Sequence, residues 1–261
     1  MFFEQPAWKC DPWLEAGAPP KSPQNQLVDI LVNVPGYLED LASVEDNPHP
    51  NQKVATVIQN LKSDLMALYQ WRWNWETANP QAATNLDPED LPPGMTICDN
   101  RVFPKVLWFQ NFTQATEISL YNTTLCCILG LLWQFEPPQN VPHLNNAYHP
   151  LLLPGQYSSL KPPAEEICRA FEYQVMNVHS SRESALFWLL PLGVTDKVLK
   201  NDPRFDRWVY SMLHASKKNV KHDTQQAQFA LNHFEFLTTS LRWRRHNLWK
   251  RSCLPVEAPA E

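Results

Sequence analysis

The side chains of this chain that could move a proton or hold a metal are few and badly spaced for either task. His222 precedes Asp223, and His233 lies two residues before Glu235. Two positions along a helix point in different directions, so His233 and Glu235 make poor co-ligands and a poor acid–base couple, and both pairs read more simply as solvated or capping residues. His143 and His149 fall in a Pro- and Asn-containing stretch and would act together only if the tertiary fold joined them. The six cysteines are Cys10, Cys98, Cys126, Cys127, Cys168 and Cys253, and none has CxxC spacing. Cys126 and Cys127 sit inside the most apolar run, where burial raises a thiol pKa and quenches its reactivity, so core packing is their expected role. Neither GxSxG, HExxH, GxGxxG nor GxxxxGK[ST] occurs. No catalytic, metal or cofactor-binding residue is therefore assigned, and the chain is expected not to be an enzyme.

The remaining constellation is basic. Arg242, Arg244, Arg245, Lys250 and Arg251 are interleaved with Trp243 and Trp249. Guanidinium groups neutralise phosphates and Trp stacks on bases, but cations also favour a helix C-terminus through the macrodipole. A solvated helix end, a nuclear-import or partner patch, and a DNA contact compete; the five cations are carried forward as the import or partner patch. They belong to an electrically lopsided chain. Residues 1–196 hold 10 Lys/Arg against 21 Asp/Glu, a net −11, whereas residues 197–251 hold 12 against 4, a net +8. Such a division suits internal complementarity, and less often an acidic partner.

These residues need a scaffold, and its pattern is helical. Glycine is scarce (6) and proline abundant (24), which suits long elements ended by Pro-rich connections. Leu27, Leu31, Val34, Leu38 and Leu41 follow steps of four and three, predicting one helix kinked at Pro35. Val54, Ile58, Leu61, Leu65 and Leu68 repeat the steps and lead into Trp71, Trp73 and Trp75, of which Trp71 and Trp75 share a face. Trp73 must then find a second surface or stay partly exposed.

Residues 79–104 lack a period and read as a long loop, a candidate linker or lid. Ala115, Ile118, Tyr121, Leu125, Ile128, Leu129 and Leu132 predict a helix apolar nearly all round, the expected centre of the fold. Its longest unbroken apolar run, Leu125 to Trp133, is nine residues, so no membrane span is expected. A second irregular stretch at 137–161 precedes Pro162-Pro163, well placed to open a helix with Ala164, Ile167, Cys168, Phe171, Val175 and Val178 inward. Ser180 or Ser181 would cap a further helix containing LFWLLPL, where Pro191 would bend the chain between Leu186, Leu189 and Leu190 before it and Val194 and Val198 after it. Pro203 would start another helix with Phe205, Trp208, Val209 and Met212 inward. Asp223 and Gln226 would open the last long one, with Ala227, Ala230, Leu231, Phe234, Leu237 and Leu241 inward. No strand is expected.

The expected architecture is all-α, a multi-helix globular array around a central apolar helix. A flexible lead-in would occupy residues 1–23, a helical domain 24–251 with long loops at 79–104 and 137–161, and a tail 252–261. The first residues lack a basic start and a continuous apolar run, so the thiols are expected reduced and the protein intracellular.

Taken in order, PKVLWFQNFTQATEISLYNTTL at 104–125, PPAEEICRAFEYQV at 162–175, LFWLLPLGVTDKVL at 186–199 and Trp208-Val209 resemble the regulatory domain of fungal zinc binuclear cluster transcription factors, the fungal-specific transcription factor domain. The resemblance spans about residues 24–215. It implies a helical, non-enzymatic regulatory domain acting in the nucleus, with the transcription machinery or a related transcription factor as partner, a small-molecule effector in some cases, no cofactor and no membrane. The six-cysteine zinc cluster of that family is missing from this sequence, so direct family-type DNA binding is not expected of it. Two rival expectations are a helical enzyme or ligand carrier of specialised metabolism, and a partner that sequesters a full-length factor.

Overall fold

The computed structural model describes residues 21–44, 48–92, 102–138, 149–155, 157–177 and 182–208, with the backbone alone for 182–187 and Leu189. These residues are mostly helical. Helix α1 (Pro23–Leu31) begins where the Ser22 hydroxyl accepts the Asn25 N–H at 3.2 Å and Pro23 takes the first helical position, where no amide partner is needed.

Pro35 does not kink a continuous helix, as expected, but opens a new one, α2 (Val34–Ala42), after a break at Val32–Asn33. Proline cannot donate to the preceding turn and crowds the residue before it. Placing it in a first turn avoids both penalties. Leu27, Val34 and Tyr37 are the buried residues of this pair, while Leu38 is exposed. Asn33 and Tyr37 both donate to Asp64 Oδ2, at 2.9 and 2.7 Å, and so fix α2 to the next helix.

That helix, α3 (Pro50–Ala78), buries Val57, Leu61, Leu68, Trp71 and Trp75. Trp71 stacks on Trp75 at 6.2 Å and donates its indole N–H to the Pro23 carbonyl at 2.9 Å, which ties α3 to α1. Trp73, on the other side, is 47% exposed.

The expected absence of strands and the structureless loop at 79–104 are both corrected. β1 (Ala83–Leu86) and β2 (Val106–Phe109) pair antiparallel, Ala83 opposite Phe109 and Leu86 opposite Val106, and a single 3-10 turn occupies Pro88–Asp90. Each strand has four residues, too short for alternation to declare itself. The pair is stabilised by burial: Val106, Leu107 and Phe109 are inaccessible or nearly so, and Trp108 and Phe109 meet the Tyr173 ring edge-on at 5.1 and 5.4 Å.

Helix α4 (Phe112–Leu132) is capped by Asn111, whose side chain accepts the Gln114 N–H at 2.9 Å, and is buried along almost its whole circumference. All seven of its predicted core residues are buried. It touches α1, α3, β2, and the later helices α5 (Lys161–Met176) and α6 (Arg182–Leu199). Its polar residues are compatible with burial because Thr116, Ser119, Thr123 and Thr124 each return a hydroxyl hydrogen bond to the carbonyl four residues earlier. By length and composition α4 could cross a bilayer, yet 89% of that stretch is buried within the protein.

Pro162 and Pro163 lie in the first turn of α5, as expected. α6 continues through Pro191, and Thr195 Oγ1 donates to the Pro191 carbonyl at 2.9 Å. The expected packing around this proline is only partly right. Leu190 is 46% exposed, and the buried side chains flanking Pro191 are Trp188 and Leu192. Val194 and Val198 are half-buried. Asp202 then caps a helical stretch at 203–208 that carries Phe205 and Trp208 inward. The apolar interior forms two clusters, and α5 serves both: Ala170 and Tyr173 belong to the one around α3 and α4, Ala164, Cys168 and Phe171 to the one with Trp188, Leu192, Leu199, Phe205 and Trp208.

Candidate functional site

Arg72 is the most unusual residue of the described fold. It occupies a core-facing position of α3 between Leu68 and Trp75, and its side chain is fully buried. Nη1 donates to Glu76 Oε2 at 2.5 Å, and the guanidinium carbon lies 5.0 Å from the Trp75 ring centre. Nε and Nη2 have no hydrogen-bond partner among the described residues.

Three more polar atoms are similarly left over nearby. The hydroxyls of Tyr121 on α4 and Tyr157 lie within hydrogen-bonding reach of one another, and neither bonds any other described residue; Asn122 Oδ1 also lacks a partner among the described residues. Both phenols are pushed up by burial, and the positive charge of Arg72 reaches each of them. Asn122 Nδ2 donates to Glu166 Oε2 at 2.7 Å, and Glu166 Oε1 accepts the Leu152 N–H at 2.7 Å. Glu166 is inaccessible on α5. Burial raises its pKa, and the two hydrogen bonds with the charges of Arg72 and Arg169 offset only part of that.

Residues 149–155 and Tyr157 form a strap across this cluster. His149 Nε2 meets Glu76 Oε1 at 2.8 Å, and its Nδ1 lies 2.7 Å from the Leu151 carbonyl. Leu151 and Tyr157 are buried, and the Gly155 backbone bonds the Tyr69 hydroxyl of α3. Gly155 has φ of +79°, a turn conformation that L side chains rarely adopt. The two carboxylates Glu76 and Glu166 therefore hold the strap from opposite helices.

No protein-family model matches this chain, no curated protein matches it and no solved structure matches it. The resemblance to fungal regulatory domains rests on the quoted segments alone.

Of the residues singled out from sequence, the structure places His149 in a network, against a carboxylate 73 residues away. His143, the pairs His222–Asp223 and His233–Glu235, the patch Arg242, Arg244, Arg245, Lys250 and Arg251, the Ser180 or Ser181 cap, Val178 and the elements expected after Trp208 lie outside the described residues. Cys126 is fully buried with its thiol pushed well up by burial, and burial pushes Cys127 up to about 11, both consistent with packing. Among the described residues no group of three or more His, Cys, Asp or Glu is arranged to hold a metal.

Sequence reasoning missed Arg72, Glu76, Asn122, Tyr157 and Glu166. One signal was legible: an arginine at the phase of a core stripe, with a glutamate four residues on to pair with it.

Proposed function

We propose that this chain is a non-enzymatic, helical transcription-regulatory domain of the fungal zinc-cluster type, acting in the nucleus through protein contacts and a small-molecule effector. The reading is carried by the ordered segments at 104–125, 162–175 and 186–199. What supports it is where they fall: on β2 with α4, on α5 and on α6, and those three helices pack directly on one another. The shared pattern thus coincides with one packed unit. The patch at Arg242, Arg244, Arg245, Lys250 and Arg251 would serve import or a partner, which is the transcription machinery or a related transcription factor.

Tethering the full chain to a heterologous DNA-binding module and measuring reporter transcription tests this. A change in output in either direction is expected; unchanged output in a fungal host would sink the reading. A second reading, a ligand carrier without a role in transcription, is favoured by the donor cluster at Arg72. It predicts a small molecule that co-purifies with a chain silent in the reporter.

A further inference from the structure

A guanidinium has two faces for recognising oxygen pairs, and Arg72 uses neither of its two-nitrogen edges fully. Nη1 is spent on Glu76, while Nε and Nη2, whose N–H bonds run parallel along one edge, lack partners among the described residues. That edge matches the two oxygens of a carboxylate. Leaving it unpaired in a fully buried residue would be costly, because each unmet donor loses its hydration without compensation. Tyr121 and Tyr157, within hydrogen-bonding reach of one another, bring phenol hydroxyls within electrostatic reach of the same charge, and neither is bonded to any other described residue. The unmet groups thus include the two guanidinium donors of Arg72 beside phenol hydroxyls that can donate or accept, and Asn122 Oδ1.

We propose that the cluster formed by Arg72, Tyr121 and Tyr157 beneath the strap of residues 149–155 is a binding site for a small carboxylate-bearing molecule. The carboxylate takes the Nε–Nη2 edge of Arg72 and the two phenol hydroxyls close on its oxygens. Trp71, stacked on Tyr121 at 5.8 Å, and Trp75, beneath the guanidinium, give the cluster an apolar border. Entry requires the strap to lift, which means parting His149 from Glu76 and Leu152 from Glu166. This deepens the regulatory reading and rests on it for the name effector, not for the site.

The test uses the full chain with acetate, benzoate and phenylacetate as probes, and benzamide and benzyl alcohol as neutral controls. The carboxylates are expected to raise the melting temperature saturably and to shift the Arg72 Nε–H resonance, and the neutral compounds to do neither. Arg72→Lys keeps the charge but loses the parallel edge, and should weaken binding about ten- to a hundredfold. Should that variant fail to fold, Tyr157→Phe removes one phenol hydroxyl from the cluster and should weaken binding about three- to tenfold.

Carboxylates and neutral controls behaving alike, Tyr157→Phe binding as tightly as the unaltered chain, or a crystal of the soaked protein with water alone on the Arg72 edge would each overturn the site. Carboxylate binding with an inert reporter would instead leave the site standing and remove its regulatory role. A working reporter without carboxylate binding would do the reverse.

Discussion

At the scale of single residues, the buried carboxylates give the clearest expectation. Glu166 has its pKa raised by burial, so the folded protein holds its proton more firmly than the unfolded chain does. Its contribution to stability is then most favourable below the ordinary glutamate value of about 4.3 and declines as pH rises from there through the raised value. Glu117, raised by burial and partly relieved by the Trp75 indole N–H at 2.7 Å, acts in the same sense. Glu166→Gln should flatten that decline in urea-unfolding free energies measured from pH 4.5 upward. A glutamine also fits: once the Asn122 amide turns over, its unused Oδ1 can accept from the new Nε2. An unchanged pH slope would mean that Glu166 is ionised throughout. Little of this was visible beforehand. Apolar periodicity finds what is oily, whereas Glu166 and Asn122 are 44 residues apart and polar, and only the crossing of α4 and α5 makes them partners.

Elements tell a different story, because prolines and caps write their own rules locally. Asp202 caps the 203–208 stretch: its Oδ1 accepts the Arg204 N–H at 2.9 Å, Pro203 fills the first position, and Lys161 reaches Oδ2 at 2.7 Å from the start of α5. Hydrogen bonds from Arg204 and Lys161 hold this carboxyl well below the usual aspartate range, so its stabilisation is complete above about pH 4 and is lost as the pH falls. Asp202→Ala should lower stability at pH 7 by about 1 kcal/mol in urea denaturation, and Asp202→Asn by less, since an amide still caps. The starts at Pro162-Pro163 and Pro203 were legible for this reason, whereas Pro23, read as part of the lead-in, opens α1. Pro35 was misread because a helix break and a kink leave the same apolar spacing, and the β1–β2 pair was missed because its four-residue strands are held by α5 rather than by their own pattern. Pro191 costs its helix an amide hydrogen bond, about 3 kcal/mol in a regular interior, and the burial of Trp188 and Leu192 beside it offsets that loss.

For the whole molecule the decisive element is α5, which lends side chains to both apolar clusters. Phe171 meets Trp188 at 5.2 Å and Trp208 at 5.8 Å, both edge-on. Phe171→Ala should cost about 3–5 kcal/mol, with far-UV circular dichroism and tryptophan fluorescence still melting together. Two separated transitions would show that the clusters are independent units. The helical character of the fold was legible because stripes three and four apart recur through most of the chain; the polar seam at its heart was not. α4 has a further consequence for synthesis. Its covering comes from segments on both sides of it in the chain, α1 and α3 already translated and α5 and α6 still to come. While the ribosome works through the residues between 133 and 160, a helix that the finished fold buries almost completely waits with half its sheath missing. A nascent chain stalled there is a natural client for holdase chaperones and a poor candidate for expression as a shortened fragment.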